Sequence, residues 1–311
     1  MRVWAVSDLH TDYPDNLKWC EDLSIKDYQE DALIVAGDVS DDLSILEQTL
    51  SLLCKRWSHV FYTFGNHELW VRRGQQNLFD SLGKWQKIQE ICSSLGVHWQ
   101  PACIEGIWIV PILSWYHASW DQEPDLPNTL PIHKVMMDFH ACHWPSHLGD
   151  GTGTELAKYF DQMNEPALTD VEAALAEASR GGSVRPPVVS FSHYLPFQEL
   201  LPEKRMLNFA NLAKAVGSNY LGERVQRLKP AAHIFGHTHF TWDTELNGTR
   251  YVQWPLGYPR RRSIHGPDGR QPLLILDANA HMSPQQDAYW SKHYQHCIRD
   301  PTNLQPAPWV S

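Results

Sequence analysis

The chain has no C-x-x-C pair; its six cysteines (Cys20, Cys54, Cys92, Cys103, Cys142 and Cys297) are scattered. They read as reduced thiols of a cytoplasmic protein. No apolar run approaches the ~20 residues needed to span a bilayer, which argues against a membrane partner. A secretory leader needs a basic start and an apolar centre, whereas "MRVWAVSDLH" runs from Met1 straight into a strand-like segment. Positive charge is also short. Lys and Arg number 26 against 36 Asp and Glu, for a net charge of −10. That balance argues against a protein held on a nucleic-acid backbone. It leaves room for a small phosphorylated substrate, because a metal site can make one pocket positive on an acidic molecule. Repeats and low-complexity tracts are absent.

What is present describes a globular chain: 311 residues, 42% hydrophobic and 20% charged, enough to bury a sizeable core. Five apolar segments stop at polar residues: 2–10, 31–40, 59–68, 186–194 and 231–239. Each carries a short apolar run of the kind found in strands buried on both faces. Helix-like stretches lie between them at 42–57, 79–96, 153–162, 169–182 and 219–229. Thr169 and Glu172 form a capping-box pattern, and Gly181 suits that helix's end. Further strands are expected at 106–115, 241–255 and 272–277, with Asn247–Gly248 as a hairpin turn. The alternation predicts an α/β layered fold. We expect one domain over 1–280, an insertion over 116–150 that walls the site, and a tail over 281–311 packed on the domain.

Every one of the five strand-like segments ends in residues that bind hard or borderline metals. They are Asp8-Leu9-His10, Gly37-Asp38, Gly65-Asn66-His67-Glu68, Ser192-His193 and Gly236-His237-Thr238-His239. Ligands of open α/β sheets gather at the C-terminal edges of strands, so these tips are expected to meet. In D-x-H and H-x-H the two side chains share one side of an extended chain. Glycines 37, 65 and 236 permit the turns that aim them. Singly, each residue also has an ordinary reading: Asp8 or Asp38 as a helix cap, Asn66 in a turn, His193 in a core.

The ordered set resembles the calcineurin-like metallophosphoesterase superfamily, whose pattern is D-x-H, G-D, G-N-H-[ED], a lone His, then G-H-x-H. The resemblance implies a four-layer α-β-β-α sandwich and two divalent ions (Mn, Fe or Zn). By it, Asp8, His10 and His239 hold the first ion, Asn66, His193 and His237 the second, and Asp38 bridges them. His67 faces the leaving group. Two ions ~3.5–4 Å apart activate a bridging hydroxide that attacks a phosphate mono- or diester of a small to medium substrate. A mixed carboxylate, imidazole and amide donor set suits Mn, Fe or Zn better than Ca. The second block reads "GDVSDDLS" without the Arg-Gly of Ser/Thr protein phosphatases, so the likeness is to the small-phosphoesterase branch. A nuclease, or a non-catalytic scaffold on the same fold, is the alternative.

Other candidates are weaker. "YVQWPLGYPRRR" resembles an Asn-Pro-x-Gly-Tyr loop of the superfamily with Trp254 in the Asn position. Its Arg260, Arg261 and Arg262 are candidate phosphate donors. Tyr116 and His117 are candidate substrate contacts at the start of the insertion. His140, His143 and His147 read as pocket lining rather than a third metal site. Glu68 reads as an orienter of the ligands.

Overall fold

A computed structural model describes residues 1–72, 74–127, 129–182, 184–261 and 271–310. Two sheets lie face to face. The first contains β1 (Val3–Val6), β2 (Ala32–Ala36), β3 (His59–Thr63) and β10 (Leu273–Leu276), in the order β10-β1-β2-β3. The second contains β4 (Ala102–Ile104), β5 (Ile107–Pro111), β6 (Val188–Phe191), β7 (Ala232–Phe235), β8 (Trp242–Leu246) and β9 (Thr249–Gln253). Its order is β4-β5-β6-β7-β9-β8. The inner strands pair in parallel, while β10, β4 and β8 close three edges antiparallel.

Strand alternation divides the core in two. In β2, Ala32, Ile34 and Ala36 face the other sheet, meeting Ile109, Val189, Phe191 and Ile234. Leu33 and Val35 point the opposite way, into the core under the helices. Both faces are therefore buried, which is why these segments read as unbroken apolar runs. The two sheets with their helical layers form the α-β-β-α sandwich.

Helices follow local signals. α1 (Pro14–Asp22) starts with Pro in its first turn, where no N–H is needed. Asp42 caps α2 (Leu43–Cys54) by accepting from Ser44 and Ile45 N–H, and Leu46, Leu50 and Leu53 form its buried stripe. Asp80 caps α3 (Ser81–Leu95), which ends on left-handed Gly96. Two short helices, α4 (Ile132–Val135) and α5 (Asp138–Ala141), lie in the 116–150 segment.

The two helices expected at 153–162 and 169–182 are one, α6 (Glu155–Arg180), and Pro166 sits inside it. Thr169 is therefore an interior residue and no cap. The apolar stripe Phe160, Leu168, Val171 and Leu175 keeps helical register across the proline. Pro166 and Gln162 are both exposed, so water can serve the carbonyl that lacks its N–H partner. α6 does end at Gly181 as expected. α7 (Asn219–Leu228) precedes β7.

Asn247 and Gly248, at φ 52° and 80°, form the hairpin turn of β8 and β9. The tail is more structured than its composition suggests. It contains α8 (Tyr289–His296), whose Tyr294 stacks on Trp242 of β8 at 5.8 Å. No helix of the described residues is long and apolar enough to cross a membrane.

Candidate metal centre

The site is built where β1, β2, β3, β6 and β7 end. Their continuations are laced by main-chain bonds: Asp8 N–H to Gly37 O (3.0 Å), His10 N–H to Asp38 O (2.8 Å) and Gly236 N–H to His193 O (2.9 Å). The lacing forces unusual backbone. Asp8, His10, Asp38, His237 and His239 all have positive φ, from 43° to 75°. The same-side argument for an extended chain therefore does not apply here. Left-handed turns aim these side chains, and Asp and His tolerate that region better than most residues. Gly37 has φ 81°, and a Cβ at Gly65 would lie 2.2 Å from Asp38 Oδ1. The second glycine serves close approach rather than a turn.

Two groups of donors result. Asp8, His10, Asp38 and His239 form one; Asp38, His193 and His237 form the other. In the first, His10 Nε2 is 2.9 Å from His239 Nε2, which lies 3.4 Å from Asp8 Oδ1. In the second, His237 Nδ1 is 2.9 Å from Asn66 Oδ1 and 3.3 Å from His193 Nε2. Asp38 Oδ2 reaches both, at 3.8 Å from His10 Nε2 and 3.5 Å from His193 Nε2. All seven residues named as ligands from the sequence are thus within reach of one another.

Hydrogen bonds fix which atoms face inward. His193 Nδ1 donates to Ala36 O and His237 Nε2 to Ala215 O, both at 2.9 Å. A carbonyl only accepts, so in the neutral rings the opposite nitrogens, His193 Nε2 and His237 Nδ1, carry bare lone pairs. Asn66 Nδ2 donates to Asp138 Oδ1 (2.9 Å), which turns its oxygen toward His237. Asp8 accepts from the Ser7 hydroxyl (2.5 Å) and His237 N–H (2.8 Å). His67 N–H occupies Asp38 Oδ1 at 3.0 Å, leaving Oδ2 for the shared position. Glu68 is fully buried, accepting from the N–H groups of Gly65 (2.7 Å), Val39 (2.5 Å) and Asp38 (3.1 Å). It pins the turns after β2 and β3 together and is no surface carboxylate.

Electrostatics favour a cation. Burial drives His10 and His67 well below the usual imidazole value, helped by neighbouring imidazoles. It brings His237 down to about 3. The rings of His10 and His237 are therefore neutral and able to ligate; the negative charge of a bound phosphate would oppose the downward shift at His67. Burial pushes Asp38 well up, as do the charges of Glu68 and Asp8. It would raise Asp8 too, but His239 and the other neighbours outweigh it and hold that carboxyl at about 2. Burial raises Glu68 to about 7 against its N–H donors. Enclosed carboxylates beside neutral imidazoles whose lone pairs converge are the donor set a divalent ion neutralises.

Two residues that the sequence reading did not assign complete the surroundings. Asp138, in α5, is buried and also accepts from Trp70 Nε1 (2.7 Å) and Tyr116 OH (2.9 Å). Tyr258 places its ring 4.4 Å from His10 and 4.8 Å from His239, with its hydroxyl 3.3 Å from His67 Nε2. His67 itself lies on Trp70 at 3.7 Å and 3.8 Å from Asp38 Oδ2, outside both donor groups. It starts a short 3-10 turn rather than continuing a strand, and that turn swings it away from Asn66.

The remaining candidates scatter. Tyr116 stacks 6.3 Å from His237. His117 is tied to Ser119 and to Asn219 N–H, with its ring beside Tyr220, so both nitrogens are engaged away from the donors. His143 is exposed and faces Gln76, not the pocket. Arg260 is exposed on the turn after Tyr258. The Arg261 side chain and Arg262 lie outside the described residues.

Asp138 gives a first test. Asp138→Ala releases the Asn66 amide to rotate, and loss of such an orienting partner costs about 10–100-fold in metal affinity or activity. Titration of Mn into the metal-free variant reads the loss directly. Wild-type affinity would assign Asp138 to packing alone.

The model of the calcineurin-like phosphoesterase family (Metallophos) matches residues 1–240. The acyl-carrier-protein phosphodiesterase PptH of Mycobacterium tuberculosis is 34% identical over 265 residues, covering 83% of this chain and 78% of that protein. The crystal structure of phosphopantetheinyl hydrolase PptH from the same organism superposes with a TM-score of 0.66. At 22% identity it covers 91% of this chain and 98% of that one, a likeness of fold. The superposition takes in more of this chain than the sequence alignment does, and the identity is lower. With its five motif blocks gathered where strands of the two facing sheets end, the chain belongs to the calcineurin-like phosphoesterase family, metal-dependent hydrolases of phosphoric ester bonds.

Proposed function

We propose that this chain is a dinuclear phosphodiesterase whose substrate is a phosphodiester joining a carrier-protein hydroxyl to a pantetheinyl arm. The observation that carries the dinuclear reading is the pair of donor groups sharing Asp38, with His67 beside them and in neither. The substrate comes from the relationship to PptH, whose name specifies an acyl-carrier-protein phosphodiester. The small phosphorylated substrate expected from the sequence becomes, on this reading, the arm of a protein.

When bound, two divalent ions (Mn, Fe or Zn) supply an activated water and neutralise the phosphate. Asp8, His10 and His239 would hold one and Asn66, His193 and His237 the other, with Asp38 shared between the two groups. His67 presents Nε2 beside Asp38 Oδ2, placed to give the departing alkoxide its proton. Tyr258 backs His67 with its hydroxyl, and Trp70 fixes the plane of the ring. The six free cysteines, with Cys103 and Cys297 exposed, support the cytoplasm as its compartment.

The test pairs two substrates with Mn-, Fe- and Zn-loaded protein: bis(4-nitrophenyl) phosphate, and a carrier protein bearing phosphopantetheine. We expect both to be cleaved and the carrier to lose the mass of its arm. Chelation should abolish both activities, and metal analysis should return two ions per chain. Cleavage of the nitrophenyl diester with an untouched carrier would reject the carrier substrate. Inertness toward both would reject the phosphodiesterase.

A further inference from the structure

We infer that the cavity beside His239 binds the pantetheinyl arm and that the C-terminal tail forms its outer wall. This rests on the carrier-protein reading above. The cavity holds about 440 Å³, inside the roughly 300–1,000 Å³ of small-molecule sites. Phe209, Leu212, Phe240 and the buried Trp290 line it, and Tyr289 and Trp309 are its exposed lining residues. His239 belongs both to this cavity and to the first donor group, so whatever fills the cavity continues into the metal centre.

The wall chemistry selects the occupant. No Asp, Glu, Lys or Arg is among the described lining residues, and Asn208 and Thr238 are the uncharged polar side chains there. Beyond its phosphate, a pantetheinyl arm is uncharged. It has a geminal dimethyl group for an apolar wall and two amides for a few polar atoms. An arm bearing further charged groups would bury them against aromatic rings without partners.

Tyr289 is 64% exposed and Trp309 51%, on the same rim. Paired exposed aromatics beside a pocket mark a contact surface. The tail is nonetheless anchored. Ala307 N–H donates to Arg205 O at 2.8 Å and Trp309 Nε1 to Met206 O at 3.2 Å. Trp290 is buried and packs edge-on against Phe240 at 5.8 Å. Tyr289, Trp290 and Trp309 all lie beyond residue 240, where the family match stops.

The cavity also sets the direction of cleavage. His239 lines the cavity and His67 does not, and the His10 ring lies beside both, at 4.8 Å and 4.6 Å. With the arm on the His239 side, the carrier oxygen lies toward His67. The water oxygen bonds to phosphorus and the bond from phosphorus to the carrier oxygen breaks. The carrier hydroxyl leaves with a proton, and phosphopantetheine leaves as a monoester.

The experiment is calorimetric titration of metal-loaded protein with 4′-phosphopantetheine and, separately, with methyl phosphate. Wild type should bind phosphopantetheine at least about tenfold more tightly, one decade of affinity being what a modest apolar contact supplies. In Tyr289→Ala/Trp309→Ala, whose replaced side chains are exposed, the advantage should shrink to within about twofold with methyl phosphate unchanged. Leu212→Trp, which fills the cavity from another lining position, should do the same. Equal affinity for the two ligands in wild type overturns the inference, as does an advantage that survives both variants. Failure of the carrier reading is read separately, as an intact holo-carrier in the cleavage assay.

Discussion

Asp38→Ala should lose metal from both halves of the site and reduce hydrolysis to background. The reason is geometric: Asp38 belongs to both groups, its Oδ2 lying 3.8 Å from His10 Nε2 and 3.5 Å from His193 Nε2. Removing it leaves Asp8, His10 and His239 on one side and Asn66, His193 and His237 on the other, with no common atom. Asp38 also anchors His67 through its N–H, so the variant should lose alignment of the acid as well. Metal analysis after dialysis should fall from two ions per chain to one or none. Two retained ions would show that the groups do not depend on a shared carboxylate.

His67→Ala should do the opposite, keeping both ions and losing chemistry. The His67 ring lies in neither donor group, with Nε2 3.8 Å from Asp38 Oδ2, and is held by Trp70 and Tyr258. Loss of a general acid costs on the order of 10²–10⁴ in rate. That cost should appear in full with an alkyl leaving group, such as the carrier hydroxyl. It should be much smaller with a nitrophenol, which departs without needing a proton. Parallel rate losses on both diesters, or loss of an ion, would move His67 into the ligand shell. Tyr258→Phe provides a milder companion, because it removes only the hydroxyl that faces the ring.

The ligands were legible in the chain because few residue types can do their work. Asp8, His10, Asp38, Asn66, His193, His237 and His239 stand in order, each after an apolar run, and the sheets bring those ends together. Asp138 was illegible for the converse reason. A lone aspartate in a segment without periodicity has no pattern, and only packing beside Asn66 and Trp70 gives it meaning. The capping-box pattern of Thr169 and Glu172 misled, because it marks a helix start, yet the stripe from Phe160 to Leu175 was the stronger instruction. Pro14 was an available signal for α1 that went unused. Tail residues such as Trp290 carry no helical signature of their own; β8 and Phe240 supply the surface that orders them.

The left-handed turns at Asp8, His10, Asp38, His237 and His239 bear on how the protein acquires its metals. Such backbone costs about 1 kcal/mol or more per residue in an unsupported chain. Here the main-chain bonds between β1, β2 and the segment after β9 hold it, as in Gly257 N–H to Asp8 O at 2.9 Å. Folding, rather than ion binding, therefore bears the cost of shaping the site. A zinc finger gains its structure from its ion; this chain should instead present a finished mould to whichever divalent ion arrives. Loading then becomes a question of supply and exchange rate. The ion recovered from cells should reflect the metal content of the growth medium, while the metal-free protein keeps the far-UV circular dichroism of the loaded one, even though bound ions raise its melting temperature.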